Sequence, residues 1–123
     1  MKSHLKIKRI YADYSSSDGY WVLVDRLWPR GISKEKARLD EWNKDIAPSQ
    51  ETRKHFNHED DKWEWFQKTY LKELKSNTTF VLEFLDRIKN KKQVTLLYGA
   101  KNPDHNQTVV LREFLERKMD KLQ

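Results

Sequence analysis

Cysteine is absent from the 123-residue chain. That removes disulfides, thiolate nucleophiles and cysteine-ligated zinc together. Only three glycines are present, and no run of them could form a loop that wraps a phosphate in backbone amides. No serine sits in the strand–turn–helix setting of a nucleophile elbow. No apolar stretch nears the ~20 residues of a membrane span, and the opening MKSHLKIKRIY lacks the apolar core of a secretory signal. These absences point to a soluble cytoplasmic protein with no membrane association.

Charge, by contrast, is plentiful. There are 25 basic and 19 acidic residues, a formal net charge of +6, and charged residues make up 36% of the chain. An excess of this sign favours anionic partners: a phosphorylated small molecule, nucleic acid or an acidic protein surface. The charges are interleaved along most of the chain, however, so much of the excess is accounted for by a solvated surface. The length suits one domain, spanning residues 1–123, built on a single core.

The most informative stretch is WVLVDRLWPRG, Trp21 to Gly31. Its continuous apolar start reads as a strand covered on both faces, over about residues 21–25. Pro29 and Gly31 stop it abruptly. A second dense strand pattern, VTLLY, covers about 93–98 and ends in Gly99-Ala100-Lys101. Ahead of both, the alternation in LKIKRIY predicts an N-terminal strand over about 5–11, with Ile10 out of phase and a bulge or strand end near Arg9. The polar segment Asp13 to Gly19 is too short for a parallel crossover, so strands one and two, if neighbours, should be antiparallel.

Four to five helices should pack around this sheet. Ser33 is placed to cap a short helix through Ala37 and Arg38. Ala47-Pro48-Ser49 starts another, with Glu51 in its first turn and an end near Phe56 and Asn57. Asp60 or Asp61 opens the clearest one, whose Trp63, Phe66, Tyr70 and Leu74 fall on one stripe. Trp65 points away from that stripe and is a candidate interface residue, set against the plain reading of an isolated exposed aromatic. Asn77 or Thr78 caps a helix with Phe80, Val81, Phe84, Leu85 and Ile88 on its apolar face. Asn102-Pro103 should start the last helix, with Val110, Leu111, Phe114, Leu115 and Leu122 facing inward. The resulting fold class is α/β, with the two dense strands parallel in one small sheet.

In such a sheet the carboxyl ends of the two strands share an edge, where ligands bind in open α/β folds. Asp25, Arg26 and Arg30 would there come near Tyr98, Lys101, His105 and Asn106. Arg26 or Arg30 could clamp a phosphate or carboxylate, and Lys101 could add a point charge. Asp25 or His105 could move a proton. Tyr98 and Asn106 would line the same place. The competing structural account is an internal ion pair of Asp25 with Arg26 or Arg30 that ties the loop to the sheet. His55-x-x-His58 has no third ligand at a helpful spacing, so neither a metal nor any other cofactor is expected.

GYWVLVDRLWPRGISKEKARLDEW, KDIAPSQETRKHF, WEWFQKTYLKEL and VTLLYGAKNPDHNQTVVL together resemble the YeaO-like family, within the bacterial DUF488 group, from about Lys8 to Leu115. The resemblance implies a small cytoplasmic α/β protein and carries no defined activity. Its motif residues fall on Asp25, Arg26, Trp28, Pro29, Arg30, Gly31, Lys34, Trp42, Lys44, Ala47, Pro48, Ser49, Arg53, Phe56, Tyr98, Lys101 and Asn106. More distant relatives resemble this layout with a Cys-His-Arg group where this chain has His105-Asn106, so any thiol chemistry of theirs is closed to it. Trp21 and Trp65 depart from the family's usual basic and polar residues. The functional expectation is a site for a small anionic ligand, binding or catalytic. A nucleic-acid module that uses the basic surface, or a protein-interaction module without chemistry, is the alternative.

Overall fold

The central strand of the sheet is the last one in the chain. The computed structural model describes residues 4–35 and 37–121. Within them β1 (Leu5–Arg9), β2 (Tyr20–Leu23), β3 (Glu41–Trp42) and β4 (Val94–Tyr98) form one sheet in the order β1-β4-β2-β3. All three pairings are parallel. Every residue of β4 is buried, Thr95 included, as suits a strand covered on both faces and flanked on both edges. β2 and β4 are therefore parallel neighbours, as their sequence patterns predict, and Ile10 lies just past the end of β1.

The condition for an antiparallel start, that strands one and two be neighbours, is not met. β1 and β2 are not neighbours; β4 lies between them, and both run alongside it in the same direction. A short link suffices because it carries no α-helix. Ile10 to Gly19 lies across the sheet as a strap containing one 3-10 turn at Ser16–Asp18. Asp18 anchors it: Lys6 and Lys8 meet its carboxylate at 2.8 and 2.7 Å, Trp21 Nε1 donates to it, and Thr95 Oγ1 donates to its carbonyl. Burial pushes the Asp18 carboxyl up, but these donors and the Ser15 amide outweigh it and hold the group well below the usual carboxylate range.

Alternation along the strands divides the core in two. On one face Leu5, Val22, Val24, Val94 and Leu96 pack against the helices. On the other, Ile10, Trp21, Leu23 and Leu97 pack beneath loop residues including Trp28 and Trp42. The helical layer consists of α1 (Gln50–Phe56), α2 (Trp63–Ser76), α3 (Thr78–Ile88) and α4 (Gln107–Lys121). Ser49 caps α1 by accepting from Thr52 N, and Asn57 ends it in the left-handed conformation. Phe66, Tyr70 and Leu74 are buried along α2, and Trp65 is 38% exposed, with its ring on His55 at 4.3 Å.

Three helix expectations need correction. Residues 34 and 35 form a turn and residue 37 a bend rather than a helix, and Arg38 has a φ of 53°. Ala37 is the only apolar residue between Ser33 and Arg38, so a helix there would have no face to bury. α4 starts at Gln107 rather than at Pro103. Asn102 does act as a cap, but it closes a bend, accepting from the amides of Asp104 and His105. Phe80 is 42% exposed, so the buried face of α3 reduces to Val81, Phe84, Leu85 and Ile88. Leu122 lies outside the described residues.

Candidate functional site

The carboxyl edge of the sheet opens into a cleft of about 760 Å³. Its floor is the end of β2 meeting the end of β4. Asp25 follows the buried Val22–Val24 run, and its Oδ2 accepts from Gly99 N at 3.0 Å. Its Oδ1 accepts from Gln107 Nε2 at 2.7 Å, and the same amide group donates to Val24 O. The two strand-end loops and the first residue of α4 thus converge on one carboxylate. Gly99 suits this close approach: a Cβ there would stand 3.1 Å from Asp25 Oδ2.

Burial pushes the Asp25 carboxyl up, and the Gly99 amide, the Arg53 guanidinium and Gln107 pull against it. The balance is a pKa raised from 3.8 to about 6. Arg53, on α1, lines the cleft beside Asp25, and its Nε is a buried donor with no hydrogen-bond partner. Around them lie Arg9 and Tyr11 from the end of β1, Arg26, Pro29 and Arg30 from the loop after β2, and Lys101 and His105 from the loop after β4. Phe56 and Phe66, stacked at 4.4 Å, contribute an apolar wall.

The expected residues divide by what their side chains do. Arg26 lines the cleft, but its Nε donates to Pro48 O at 2.8 Å and its Nη2 to Ala47 O, so it ties the loop to the start of α1. Arg30 is exposed at the rim, and its carbonyl accepts from Tyr11 Oη. Lys101 is exposed beside it. Among the described residues no ion pair joins Asp25 to Arg26 or Arg30, so the structural account by internal pairing falls.

His105 holds Asp60 at 3.0 Å through Nδ1 and stacks on Trp63 at 4.6 Å. Asn106 is 1% exposed and caps α4, with Oδ1 accepting from Thr108 N and Nδ2 donating to Asn102 O. Tyr98 does not line the cleft; it is buried, and burial pushes its hydroxyl up. Among the described residues no group of three or more His, Asp or Glu side chains could hold a metal ion.

Neither Gln107 nor Arg9 is marked as a site residue by the sequence. Gln107 follows Asn106 in a stretch that reads as helix interior, and Arg9 sits in a strand whose neighbour cannot be known from its own residues. Arg53 is marked only as a motif position implied by the family resemblance. Its legible signal is an arginine in the last turn of a short helix that starts close to the Asp25 loop.

A family model described as "Inactive DUF488-N3 subclade" matches residues 4–123. The chain belongs to this family. It is 45% identical to the uncharacterized protein YeaO of Escherichia coli (strain K12) over 112 residues, 91% of this chain and 96% of that protein. It is 32% identical over 114 residues to the uncharacterized proteins Mb3100c of Mycobacterium bovis and Rv3073c of Mycobacterium tuberculosis (strain H37Rv), with 93% of this chain and 95% of each relative covered. The YeaO-like resemblance read from the sequence motifs is therefore borne out, as is the α/β sheet with its N-terminal strand. No solved structure matches the chain significantly. Among the described residues no helix is long and apolar enough to cross a membrane.

Proposed function

We propose that the cleft at the carboxyl edge of β2 and β4 binds a small anion-bearing molecule, and that it binds without turnover. The observation that carries this reading is the charge of the lining: five basic side chains, Arg9, Arg26, Arg30, Arg53 and Lys101, against one carboxylate, Asp25. The chain as a whole is far more balanced, at 25 to 19. Cations gathered around a partly apolar concavity favour an anion with some apolar surface. Binding alone fits better than catalysis. The family's own descriptor is "inactive", and His105, the other candidate for proton transfer, is engaged by Asp60 and Trp63.

The test is a titration of the intact chain with inorganic phosphate and with aryl phosphates, followed by backbone amide NMR at low ionic strength. Shifts should concentrate at residues 25–30, 53 and 99–107, and Arg30→Ala with Lys101→Ala should weaken binding about tenfold or more. Binding unaffected by those two changes, or shifts scattered over the whole basic surface, would remove the assignment to this cleft.

A further inference from the structure

Arg53 and Asp25 share the cleft floor, and they differ in how fully the fold answers them. Arg53 Nε is buried without an acceptor, and buried polar atoms in folded proteins nearly always have one. The carboxylate that shares the cleft lining is Asp25, whose oxygens are each held elsewhere, by Gly99 N and by Gln107 Nε2. No ion pair forms between them among the described residues, although Arg53 acts on Asp25 through space. Turning the carboxylate toward Arg53 would strip those two bonds and expose the buried Gln107 amide group to a lost partner. Among the described residues the protein's own groups thus leave the guanidinium Nε without an acceptor on the floor of the cleft.

Resting on the anion-site reading above, we infer that Arg53 is the group that receives the ligand's oxyanion, and that Asp25 takes up one proton from solvent as the anion binds. The electrostatics require the second half. An oxyanion on Arg53 neutralises the cation that favours the ionised form of Asp25, and it places a like charge beside that carboxylate. Both effects raise the affinity of Asp25 for a proton. The carboxyl already titrates near pH 6 in the free protein, so completing the protonation costs little near neutrality.

The charged and titratable groups that face Asp25 agree. From α1 there is Arg53, and from α2 the buried Tyr70, whose hydroxyl donates to Ile46 O. Arg26, next in the chain, is turned to Pro48 and Ala47. From α4 comes the neutral Gln107, and from the β4 loop a backbone amide. None is a second carboxylate that could take the proton instead. His58 and His105 also line the cleft, so the test must separate them from Asp25.

Sulfate is the probe, because it does not titrate between pH 5 and 8. Calorimetric titration of the full chain with sodium sulfate, in buffers of different ionisation enthalpy and at constant ionic strength held with chloride, reads affinity and proton uptake together. Binding should be about tenfold tighter at pH 5 than at pH 8, the effect of raising one pKa by about one unit. Proton uptake should peak between pH 6 and 7. Asp25→Asn should remove most of that ratio, whereas a His58→Gln/His105→Gln double variant should keep it. Arg53→Met should lose at least tenfold in affinity at pH 5, and Arg53→Lys should recover part of the loss; circular dichroism establishes that each variant is folded. A pH dependence that survives Asp25→Asn and vanishes in the double histidine variant overturns the inference, as does Arg53→Met binding like the parent. In either case the anion site itself stands. Failure of sulfate to bind at any pH overturns this inference, and the anion site falls with it only if the phosphate titration also fails.

Discussion

At Asp25 the fold holds a proton more tightly than the unfolded chain does, because burial raises its pKa from 3.8 to about 6. The folded state therefore binds the extra proton between those values, and stability falls as pH rises from about 4 to about 6 and is level beyond. Two pKa units correspond to roughly 3 kcal/mol. Urea unfolding of the parent and of Asp25→Asn should yield a stability difference that shifts by up to about that much over this window; a difference that stays constant with pH would contradict the assignment. Asn106 makes a separate prediction. Its side chain caps α4 and bridges back to Asn102, so Asn106→Ala should cost about 1–2 kcal/mol, measured by the same unfolding experiment. Both residues were legible in the sequence as members of one cluster, because apolar runs ending in turn residues mark strand ends. Their division of labour was not legible, since it depends on which donor each oxygen meets.

Among the elements, the strap from Ile10 to Gly19 ends at a position that only glycine fits. Gly19 has a φ of 68°, and an added Cβ would run into the Gln93 carbonyl oxygen, the same oxygen that accepts from Tyr20 N. Gly19→Ala should therefore cost about 3 kcal/mol or more through backbone strain and displacement of β4, seen as a fall in the unfolding midpoint. Elements with caps and an apolar stripe, such as α1 from Ser49 and the Phe66–Tyr70–Leu74 face of α2, could be read from their own residues. Those without a stripe could not. The Ser33 segment carries a cap signal with almost nothing apolar behind it, and Asn102-Pro103 spends its capping side chain on a bend. A start signal needs a burial partner before it nucleates a helix.

For the molecule as a whole, strand order was the part the sequence hid. Each strand's character is local, but the insertion of β4 between β1 and β2 is a contact between distant residues. Leu5 pairs with Val94 and Tyr20 pairs with Val94 on the opposite side. The polar strap gives no sign that it passes over a strand not yet reached in the chain. The only clue is the apolar density of VTLLY, which suits an inner strand covered on both faces. The cleft inherits this dependence, because its floor exists only where the ends of β2 and β4 meet at Asp25.

That arrangement also sets a schedule for biosynthesis. A growing chain that has not yet emitted residues 94–98 lacks the strand to which both β1 and β2 bind, and the brief β2–β3 contact of two register pairs cannot stand alone. Helices can form early, but the sheet must wait until most of the polypeptide has left the ribosome, and its contacts then close over long loops. A chain ending at Lys92 should show helical circular dichroism without cooperative unfolding and should be digested rapidly by protease, while the full chain resists. Folding of this protein is thus a late event in its own synthesis, and its exposed N-terminal half is the portion that needs shelter in the interval.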